Sequence, residues 1–235
     1  MGKIGLITFY ENNYGSILQC YATKYFLENH GYECVVISCR EVQQPNLMNK
    51  VGKYFRVAIR SLAFKSYYND FILMKKAARK GNALSETTKK KMDDFVDRYI
   101  KPELFQMKNL KELAETDEFG KFIVGSDQVW NVSFDLNDFY FLTFSPYNKR
   151  IAFSVSIGLS ELSDYERYRL KNRIGLFSSI SVREKTGQQL LESMGAKDVK
   201  KLSDPTVLLD GKEWQKFEDA KKCLQLGQHY ILIHF

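Results

Sequence analysis

The sequence predicts an α/β fold, a Rossmann-like doubly wound sheet whose strands are mainly parallel. Apolar, β-prone segments alternate with segments of helical periodicity, which is typical of such sheets. Polar residues gather directly after several of the apolar segments, where ligand sites lie in this fold class. The 235 residues are 44% hydrophobic and 27% charged. This mixture is that of a folded globular chain and excludes a disordered or low-complexity protein.

The first elements form a βαβ unit. Residues 3–9 are apolar and predict a strand, residues 16–29 have the spacing of a helix, and residues 34–38 predict a second strand. His30 and Gly31 supply the stop, because glycine takes the left-handed conformation that ends many helices.

The alternation resumes after residue 90 and defines a Rossmann-like N-terminal domain over residues 1–209. A turn at Ser203-Asp204-Pro205 leads into its last segment, residues 206–209. The further predicted strands are 121–124, 150–156, 180–183 and 199–201. The further predicted helices are 92–99, 111–118, 164–174 and 186–194.

A basic helical insertion is predicted at about residues 45–101. Residues 50–101 hold 14 Lys or Arg and 5 Asp or Glu, a balance of +9 in a chain whose total is +7. Val51, Phe55 and Ile59 recur at helical spacing with basic residues between them, as in helices that lie on anionic lipid. A solvated helix packed on the core is the simpler interpretation, and peripheral membrane contact through residues 50–80 is the alternative. Nucleic acid is not an expected partner, because no recognition motif accompanies the charge.

Several classes of protein are excluded. No apolar run approaches the ~20 residues that cross a bilayer, and residues 4–9 are too short for a signal sequence, so we expect a cytoplasmic protein. The four cysteines show no C-x-x-C spacing and are expected to be reduced and buried. The three histidines lie at no metal-ligand spacing, so neither a structural metal nor a cofactor is predicted.

The first candidate site follows the first strand. A loop that opens a helix offers free N–H groups to an anion, and a glycine there lets a ligand approach the backbone. Plain helix capping by Asn13 or Ser16 is the alternative. Neither the dinucleotide glycine motif nor the P-loop motif is present. The candidate substrate-binding residues are Asn12, Asn13, Tyr14, Gly15 and Ser16.

The loop after strand 121–124 is denser in polar groups than a turn requires. Asp127 is a candidate acid or base, and Trp130 offers a face for stacking on a sugar. The alternatives are that Asp127 caps a helix and that Trp130 is core, and for Trp130 the core is favoured. The candidate substrate-binding residues of this loop are Gly125, Ser126, Gln128, Trp130 and Asn131.

Two later strand ends complete the candidate site. Ser156 follows one strand, and Arg183 and Glu184 follow the next. Arginine suits phosphate or carboxylate, and the alternative is an ion pair with Glu184 or another acid. We expect Asn13, Asp127, Ser156 and Arg183 to converge at one edge of one sheet.

These residues resemble the polysaccharide pyruvyl transferase family over almost the whole chain and in the same order. The most specific part is the run Gly-Ser-Asp-Gln-Val-Trp-Asn at 125–131. Asp-Pro-Thr at 204–206 would be weak evidence alone. The segments that carry the resemblance are 3–8, 13–16, 122–131, 152–158, 181–184 and 204–206.

The resemblance implies two Rossmann-like domains that face each other across a cleft, as in B-type glycosyltransferases. It implies transfer of pyruvate from phosphoenolpyruvate, a substrate rather than a cofactor, to a sugar as a ketal in cell-surface or extracellular polysaccharide synthesis. The acceptor would be a glycan or lipid-linked glycan. Arg183 matches an arginine that meets the donor, while Asp127 and the loop 12–16 would face the acceptor.

The resemblance also implies a second domain. Residues 210–235 are expected to form a linker helix and that domain's first strand, so a truncated chain of very low activity is expected. His234 falls within this strand pattern and is not a catalytic candidate. Two other functions stay open: a nucleotide-sugar glycosyltransferase of the B type, and a non-catalytic module that binds glycan or membrane.

Overall fold

One parallel sheet organises the protein. The computed structural model describes residues 2–43, 84–132 and 137–217. The strands are β1 (Lys3–Ile7), β2 (Cys34–Cys39), β3 (Glu103–Phe105), β4 (Phe119–Val124), β5 (Arg150–Val155), β6 (Ser179–Val182) and β7 (Lys200–Lys201). They lie in the order β3-β2-β1-β4-β5-β6-β7, and every neighbouring pair is parallel. This confirms the doubly wound α/β prediction.

Helices connect the strands. They are α1 (Tyr14–Asn29), α2 (Arg40–Gln43), α3 (Glu86–Phe95), α4 (Met107–Ala114), α5 (Asp164–Ile174), α6 (Lys185–Ser193) and α7 (Gly211–Gln215). A π-helical turn, Val96–Ile100, continues α3, and short 3-10 turns cover Asp138–Phe141, Tyr147–Lys149 and Pro205–Leu208. Within the described ranges, no helix has the length and apolar character that a bilayer crossing requires.

Apolar side chains cover both faces of the sheet. One core cluster includes Ile7, Phe122 and Leu170, and the other includes Leu6 and Ile17 from the opposite face. Every residue of β2 is buried, as expected for a strand covered on both faces. The alternating sequence pattern therefore gives two hydrophobic layers that leave the strand ends open for a site.

Some helices and strands begin or end at other residues than the sequence predicts. Helix α5 occupies the predicted residues, whereas α4 begins at Met107, four residues before the expected 111–118. Strand β3 was not predicted, because two of its three residues are exposed and it carries no apolar run. The predicted helix stop is correct, since α1 ends at His30 and Gly31 follows with φ +82°.

Several predictions lie outside the described residues. They are the basic amphipathic helix with its membrane contact at residues 50–80, the strand at 230–235, and the state of Cys223. These stay predictions. Cys20, Cys34 and Cys39 are free and buried, which confirms the expectation for the three cysteines that the structure describes.

Candidate functional site

The site lies where the strand order reverses, between β1 and β4. Ligands of open parallel sheets bind beyond the carboxyl ends of the strands at such a point. The loops that follow these two strands run side by side. The Gly125 amide donates to the Ile7 carbonyl at 3.0 Å, and the Thr8 hydroxyl donates to the Ser126 carbonyl at 3.0 Å. Two segments that are more than a hundred residues apart thus form one surface.

Asp127 is held against the start of α1. The Ser16 hydroxyl donates to Oδ2 of Asp127 at 2.5 Å, and the Gln128 amide donates to Oδ1 at 2.7 Å. Asn13 caps α1, with its side chain accepting from the Ser16 amide at 3.2 Å. The capping alternative is therefore correct for Asn13, whereas the Ser16 hydroxyl faces the carboxylate. Residues 126–132 form turns rather than a helix, so Asp127 caps no helix of its own loop.

The backbone around Asp127 is tightly constrained. Asp127 has φ +71°, in the left-handed region that only a few residue types tolerate. Gly125 has φ +108°, and a Cβ there would lie 2.3 Å from the Phe153 carbonyl oxygen. No other side chain fits at Gly125. The polar loop is thus pressed against β5, and this fixes the direction in which the carboxylate projects.

A series of buried side chains ties the strand ends together, and we call it the hydroxyl ladder. Gln19 Nε2 donates to Thr8 Oγ1 at 3.0 Å, and Thr8 donates to the Ser126 carbonyl. The Ser126 hydroxyl donates to the Ser154 carbonyl at 3.0 Å, and the Ser154 hydroxyl donates to the Ser203 carbonyl at 2.8 Å. The side chain of Ser126 is fully buried and fully engaged here, so its contribution to the site is structural.

Trp130 belongs to the core. It is fully buried, its Nε1 donates to the Tyr140 carbonyl at 3.0 Å, and its ring stacks on Phe141 with centroids 5.3 Å apart. This agrees with the core alternative and corrects its place among the substrate-binding residues, because a buried indole presents no face to a sugar. Asn131 is also buried and donates to the Gln128 side chain at 2.9 Å.

Ser156 links Asp127 to the end of β6. Its amide donates to the Asp127 carbonyl at 2.8 Å, and its hydroxyl donates to Glu184 Oε1 at 2.6 Å. The Arg183 amide donates to the Val155 carbonyl at 3.1 Å. Asn13, Asp127, Ser156 and Arg183 therefore lie along the same edge of the sheet, as the sequence predicts. Their chemical roles stay predictions.

Arg183 is engaged by two carboxylates. Nη1 pairs with Asp204 Oδ2, and Nε lies 3.8 Å from Glu184 Oε1. Asp204 is itself fixed, since its Oδ1 accepts from the amide and the hydroxyl of Thr206 at 2.9 and 2.8 Å. The ion pair that the sequence analysis gave as the alternative for Arg183 is therefore observed. The Arg183 side chain is still 23% exposed, so the guanidinium is not sealed from solvent.

A cavity of about 420 Å³ opens beside Asp127, at the carboxyl ends of β1 and β2. Ser16 is one of its lining residues and also holds Asp127. Asn12, also a predicted site residue, lines the cavity too, but the sequence did not predict the cavity, because most of its other walls come from separate segments with no predicted role. Among these walls are Tyr10, Glu11, Ser38, Cys39 and Tyr140.

Burial shapes the chemistry of the cavity wall. It raises the pKa of Tyr140, with further contributions from Tyr10, Glu11 and Cys39. Burial also raises the pKa of Cys39 to about 11, assisted by its hydrogen bond to Glu41. Both groups are therefore protonated at neutral pH, and they give the wall hydroxyl and thiol groups rather than charges.

Residues 13–233 match the family model described as polysaccharide pyruvyl transferase. The chain belongs to the polysaccharide pyruvyl transferase family. The match spans the site from Asn13 to Arg183 and extends beyond the last described residue. No curated protein and no solved structure gives a significant match.

In this polysaccharide pyruvyl transferase family member the charges at the site are unevenly distributed. Near the ends of β5, β6 and β7, Arg183 lies between Glu184 and Asp204. Near β1 and β2, the cavity has the carboxylate Glu11, and none of its described lining residues is Lys, Arg or His. Across the described residues, no group of three or more His, Cys, Asp or Glu is placed to hold a metal ion.

Proposed function

We propose that the protein transfers pyruvate from phosphoenolpyruvate to two hydroxyl groups of one sugar, as a ketal, during synthesis of a cell-surface or extracellular polysaccharide. The observation that carries the proposal is the family match over residues 13–233, which includes every strand end of the site from β4 onward. The placement of Asp127 and Arg183 on one edge supports it, because the chemistry needs a proton-transfer group and a cation near one another.

The reaction has two steps. In the first, a sugar hydroxyl adds to the carbon that carries the phosphate, and a proton is added to the methylene carbon, which becomes a methyl group. In the second, another hydroxyl of the same sugar bonds to that carbon, and inorganic phosphate leaves. The hydroxyl protons must be accepted, and the donor's phosphate and carboxylate must be held by cations.

Asp127 is our candidate for the group that accepts the proton of the attacking hydroxyl. It is partly exposed, and both of its oxygens already accept hydrogen bonds from Ser16 and Gln128. These bonds orient the carboxylate toward the side of the edge where the cavity lies, since Ser16 also lines the cavity. A base must lie within hydrogen-bond reach of the hydroxyl that it serves, and Ser16 is the lining residue of the cavity that contacts Asp127 directly.

Arg183 is our candidate for a donor contact. The guanidinium is planar and permanently charged, and Asp204 and Glu184 fix its orientation. Its Nη2 has no hydrogen bond to a described residue, which leaves donor capacity for a carboxylate or phosphate oxygen. One guanidinium beside two carboxylates does not neutralise phosphoenolpyruvate, so the proposal requires further cations in addition to Arg183.

The test is a turnover assay with the full chain, phosphoenolpyruvate and a panel of glycans. We expect release of inorganic phosphate that depends on the glycan, and a product whose mass rises by one ketal-linked pyruvyl group. Asp127→Asn, for which we expect a much lower rate, is the matched variant for comparison. Release of nucleoside diphosphate from a nucleotide sugar, without phosphate release from phosphoenolpyruvate, would instead identify a glycosyltransferase.

A further inference from the structure

The turn that follows β7 holds Asp204 in a fixed orientation. Oδ1 of Asp204 accepts hydrogen bonds from the amide and from the hydroxyl of Thr206, at 2.9 and 2.8 Å. Pro205, between these two residues, is buried, and its ring restricts the backbone there. The other carboxylate oxygen, Oδ2, pairs with Nη1 of Arg183. Asp204 therefore has both oxygens engaged, one by its own turn and one by the guanidinium.

The turn is itself anchored on both sides of Asp204. On one side, the hydroxyl of the fully buried Ser154 donates to the Ser203 carbonyl at 2.8 Å. On the other side, Nε1 of Trp214, in α7, donates to the Thr206 carbonyl at 3.1 Å. Both anchors are side chains that bind main-chain carbonyls, so they fix the course of the turn. The position of Asp204 thus depends on a side chain of α7.

Helix α7 is held against α1 by aromatic packing. The ring centroid of Trp214 lies 6.0 Å from that of Tyr21, a buried residue of α1. The first turn of α1 carries Ser16, whose hydroxyl donates to Asp127. Through these contacts α1 supports Asp127 directly, and it supports the turn beside Arg183 by way of Trp214. One helix therefore helps to place both residues to which the proposed function gives a role.

A fixed orientation matters for Arg183 because its side chain is long and flexible. An arginine that is ordered only when its ligand binds loses rotamer freedom at that moment, and the affinity falls. Here the guanidinium contacts two carboxylates through two of its nitrogens, Nη1 with Asp204 and Nε with Glu184. Its third nitrogen, Nη2, makes no hydrogen bond to a described residue. A planar guanidinium held in this way can bind an anion without further ordering.

The charge of Asp204 also acts against an anion, so the two effects have to be compared. The side chains of Arg183 and Asp204 are 23% and 28% exposed. For exposed pairs, solvent screening limits the effect of one charge to about fivefold or less. Displacement of a substrate-positioning group by about 1 Å can lower the rate by about 100-fold. When Asp204 is neutralised, the loss of orientation should therefore outweigh the gain in net positive charge.

We propose that Asp204 is the positioning residue for Arg183, and that Trp214 in α7 maintains it by holding the Thr206 carbonyl. The inference rests on the proposed function only in naming phosphoenolpyruvate as the anion that Arg183 binds. Asp204 and Trp214 act through Arg183 and do not contact the donor. The orientation of the donor-binding cation is thus set by a helix that contributes no residue to the candidate site.

The first measurement follows Arg183 itself and needs no substrate. Nitrogen relaxation NMR on the full chain gives the order parameter of the Arg183 Nε–H group, whose resonance is assigned by its loss in Arg183→Lys. We expect a value near that of rigid backbone, about 0.85, in the wild type and a value below about 0.6 in Asp204→Asn. An order parameter that is unchanged in a folded Asp204→Asn, or already below about 0.6 in the wild type, would overturn the inference.

Two milder variants test the relay behind Asp204. Thr206→Val removes the hydroxyl that donates to Asp204, and Trp214→Phe removes the indole N–H, each with little change of shape. Both should give order parameters between those of the wild type and Asp204→Asn. If Asp204→Asn does not fold, these two variants provide the same test with smaller expected changes. A wild-type order parameter in both of them would refute the relay through Thr206 and Trp214.

The neighbouring residue of the same turn provides the matched control. Val207→Thr makes the reverse change to Thr206→Val, one position further on, at a side chain that is 67% exposed. It should leave the order parameter of Arg183 unchanged. A change as large as that in Thr206→Val would mean that any substitution in the turn disturbs the arginine, and the specific role of the Thr206 hydroxyl would be lost.

The second measurement is turnover of phosphoenolpyruvate with a glycan acceptor. Asp204→Asn should lower kcat/KM for phosphoenolpyruvate by at least about tenfold, and Trp214→Phe by about threefold, while the KM for the acceptor stays the same. General loosening of the fold would change the KM values of both substrates. A higher kcat/KM for phosphoenolpyruvate in Asp204→Asn would show that Asp204 mainly neutralises Arg183, and it would overturn the inference.

Failure of the proposed function can be told apart from failure of the inference. If the wild type does not turn over phosphoenolpyruvate with any glycan, the proposed function fails, and a lower order parameter in Asp204→Asn still supports the positioning of Arg183. If the wild type is active and a folded Asp204→Asn has the same kcat/KM, the inference is overturned and the proposed function stands.

Discussion

The two halves of the carboxyl edge are built from different chemistry. On the β1–β2 side, the cavity is lined by aromatic rings and hydroxyls with Glu11 at its margin. On the β5–β7 side, Arg183 is fixed between Glu184 and Asp204. Asp127 lies between the two halves. The difference teaches that one sheet edge can keep a cavity of aromatic rings and hydroxyls apart from a cluster of ion pairs.

Removal of the guanidinium should have the largest effect on the ionic half. Arg183→Ala is expected to lower turnover by about 10³-fold, since several charge-assisted donors are lost together. The measurement is phosphate release from phosphoenolpyruvate, with circular dichroism to show that the fold is intact. Arg183→Lys keeps the charge but not the fork and should be intermediate. Unchanged turnover in Arg183→Ala would refute the assignment to the donor.

Neutralisation of the carboxylate between the halves should have the next largest effect. Asp127→Asn keeps the shape of the side chain and should lower kcat by about 10²-fold, because general base catalysis contributes at least that much. Ser16→Ala removes one hydrogen bond to the carboxylate and should cost less. Equal kcat in the wild type and Asp127→Asn would move the proton-transfer role to another residue.

Removal of a hydrogen bond from the hydroxyl ladder should weaken the contact between the two halves and lower the free energy of unfolding. Thr8→Val leaves the Ser126 carbonyl without its donor and Gln19 Nε2 with one acceptor fewer in a buried region. We expect a loss of about 1–2 kcal/mol in the free energy of unfolding, measured by urea denaturation. The exposed Thr87→Val is the control, with an expected change within about 0.5 kcal/mol. A similar loss in both variants would show that the ladder has no special role.

The smallest expected effect on stability comes from Glu41, which follows β2 and accepts hydrogen bonds from the start of α4. Both carboxylate oxygens of Glu41 accept from the Met107 amide at 3.1 Å, at the start of α4. Burial opposes ionisation of Glu41, but hydrogen bonds from the Cys39 thiol and the Met107 amide lower its pKa overall. A lowered folded-state pKa means that the stabilisation is present above the usual carboxyl range and is lost as the pH falls through the folded-state value.

Because solvent screens this exposed carboxylate, Glu41→Gln should lower the free energy of unfolding at neutral pH by only about 0.5 kcal/mol. The difference from the wild type should shrink as the pH falls through the folded-state pKa of Glu41, which lies below the usual carboxyl range. Urea denaturation of both proteins across this range is the measurement. A difference that stays constant with pH would mean that the charge of Glu41 contributes nothing.

Local signals explain what could be predicted from the sequence. Helix α5 has the predicted ends, and the structure shows that a local pattern fixes its start, since Ser163 and Glu166 form a capping box within four residues. The strand-end loops were predicted because they directly follow apolar runs. Strand β3 was missed because its pairing with β2 is non-local and most of it is exposed.

The sequence predicts where the candidate site lies, but it does not predict which side chains contact one another there. That Arg183 and Asp127 share an edge follows from parallel strands alone. The pairing of Arg183 with Asp204, the hydroxyl ladder and the cavity all depend on side chains that meet across strands. Tyr10, Ser38 and Tyr140 carry no spacing signal, since only the folded backbone brings them together.

Three of the four links of the hydroxyl ladder end on main-chain carbonyls, at Ser126, Ser154 and Ser203. Such anchors depend on the course of the backbone and not on the side chains that project between them. Substitutions at Glu11 or Ser38 can therefore alter the cavity wall without removing these hydrogen bonds. The wall of the cavity can thus change by single substitutions while the paths of the strand-end loops stay fixed.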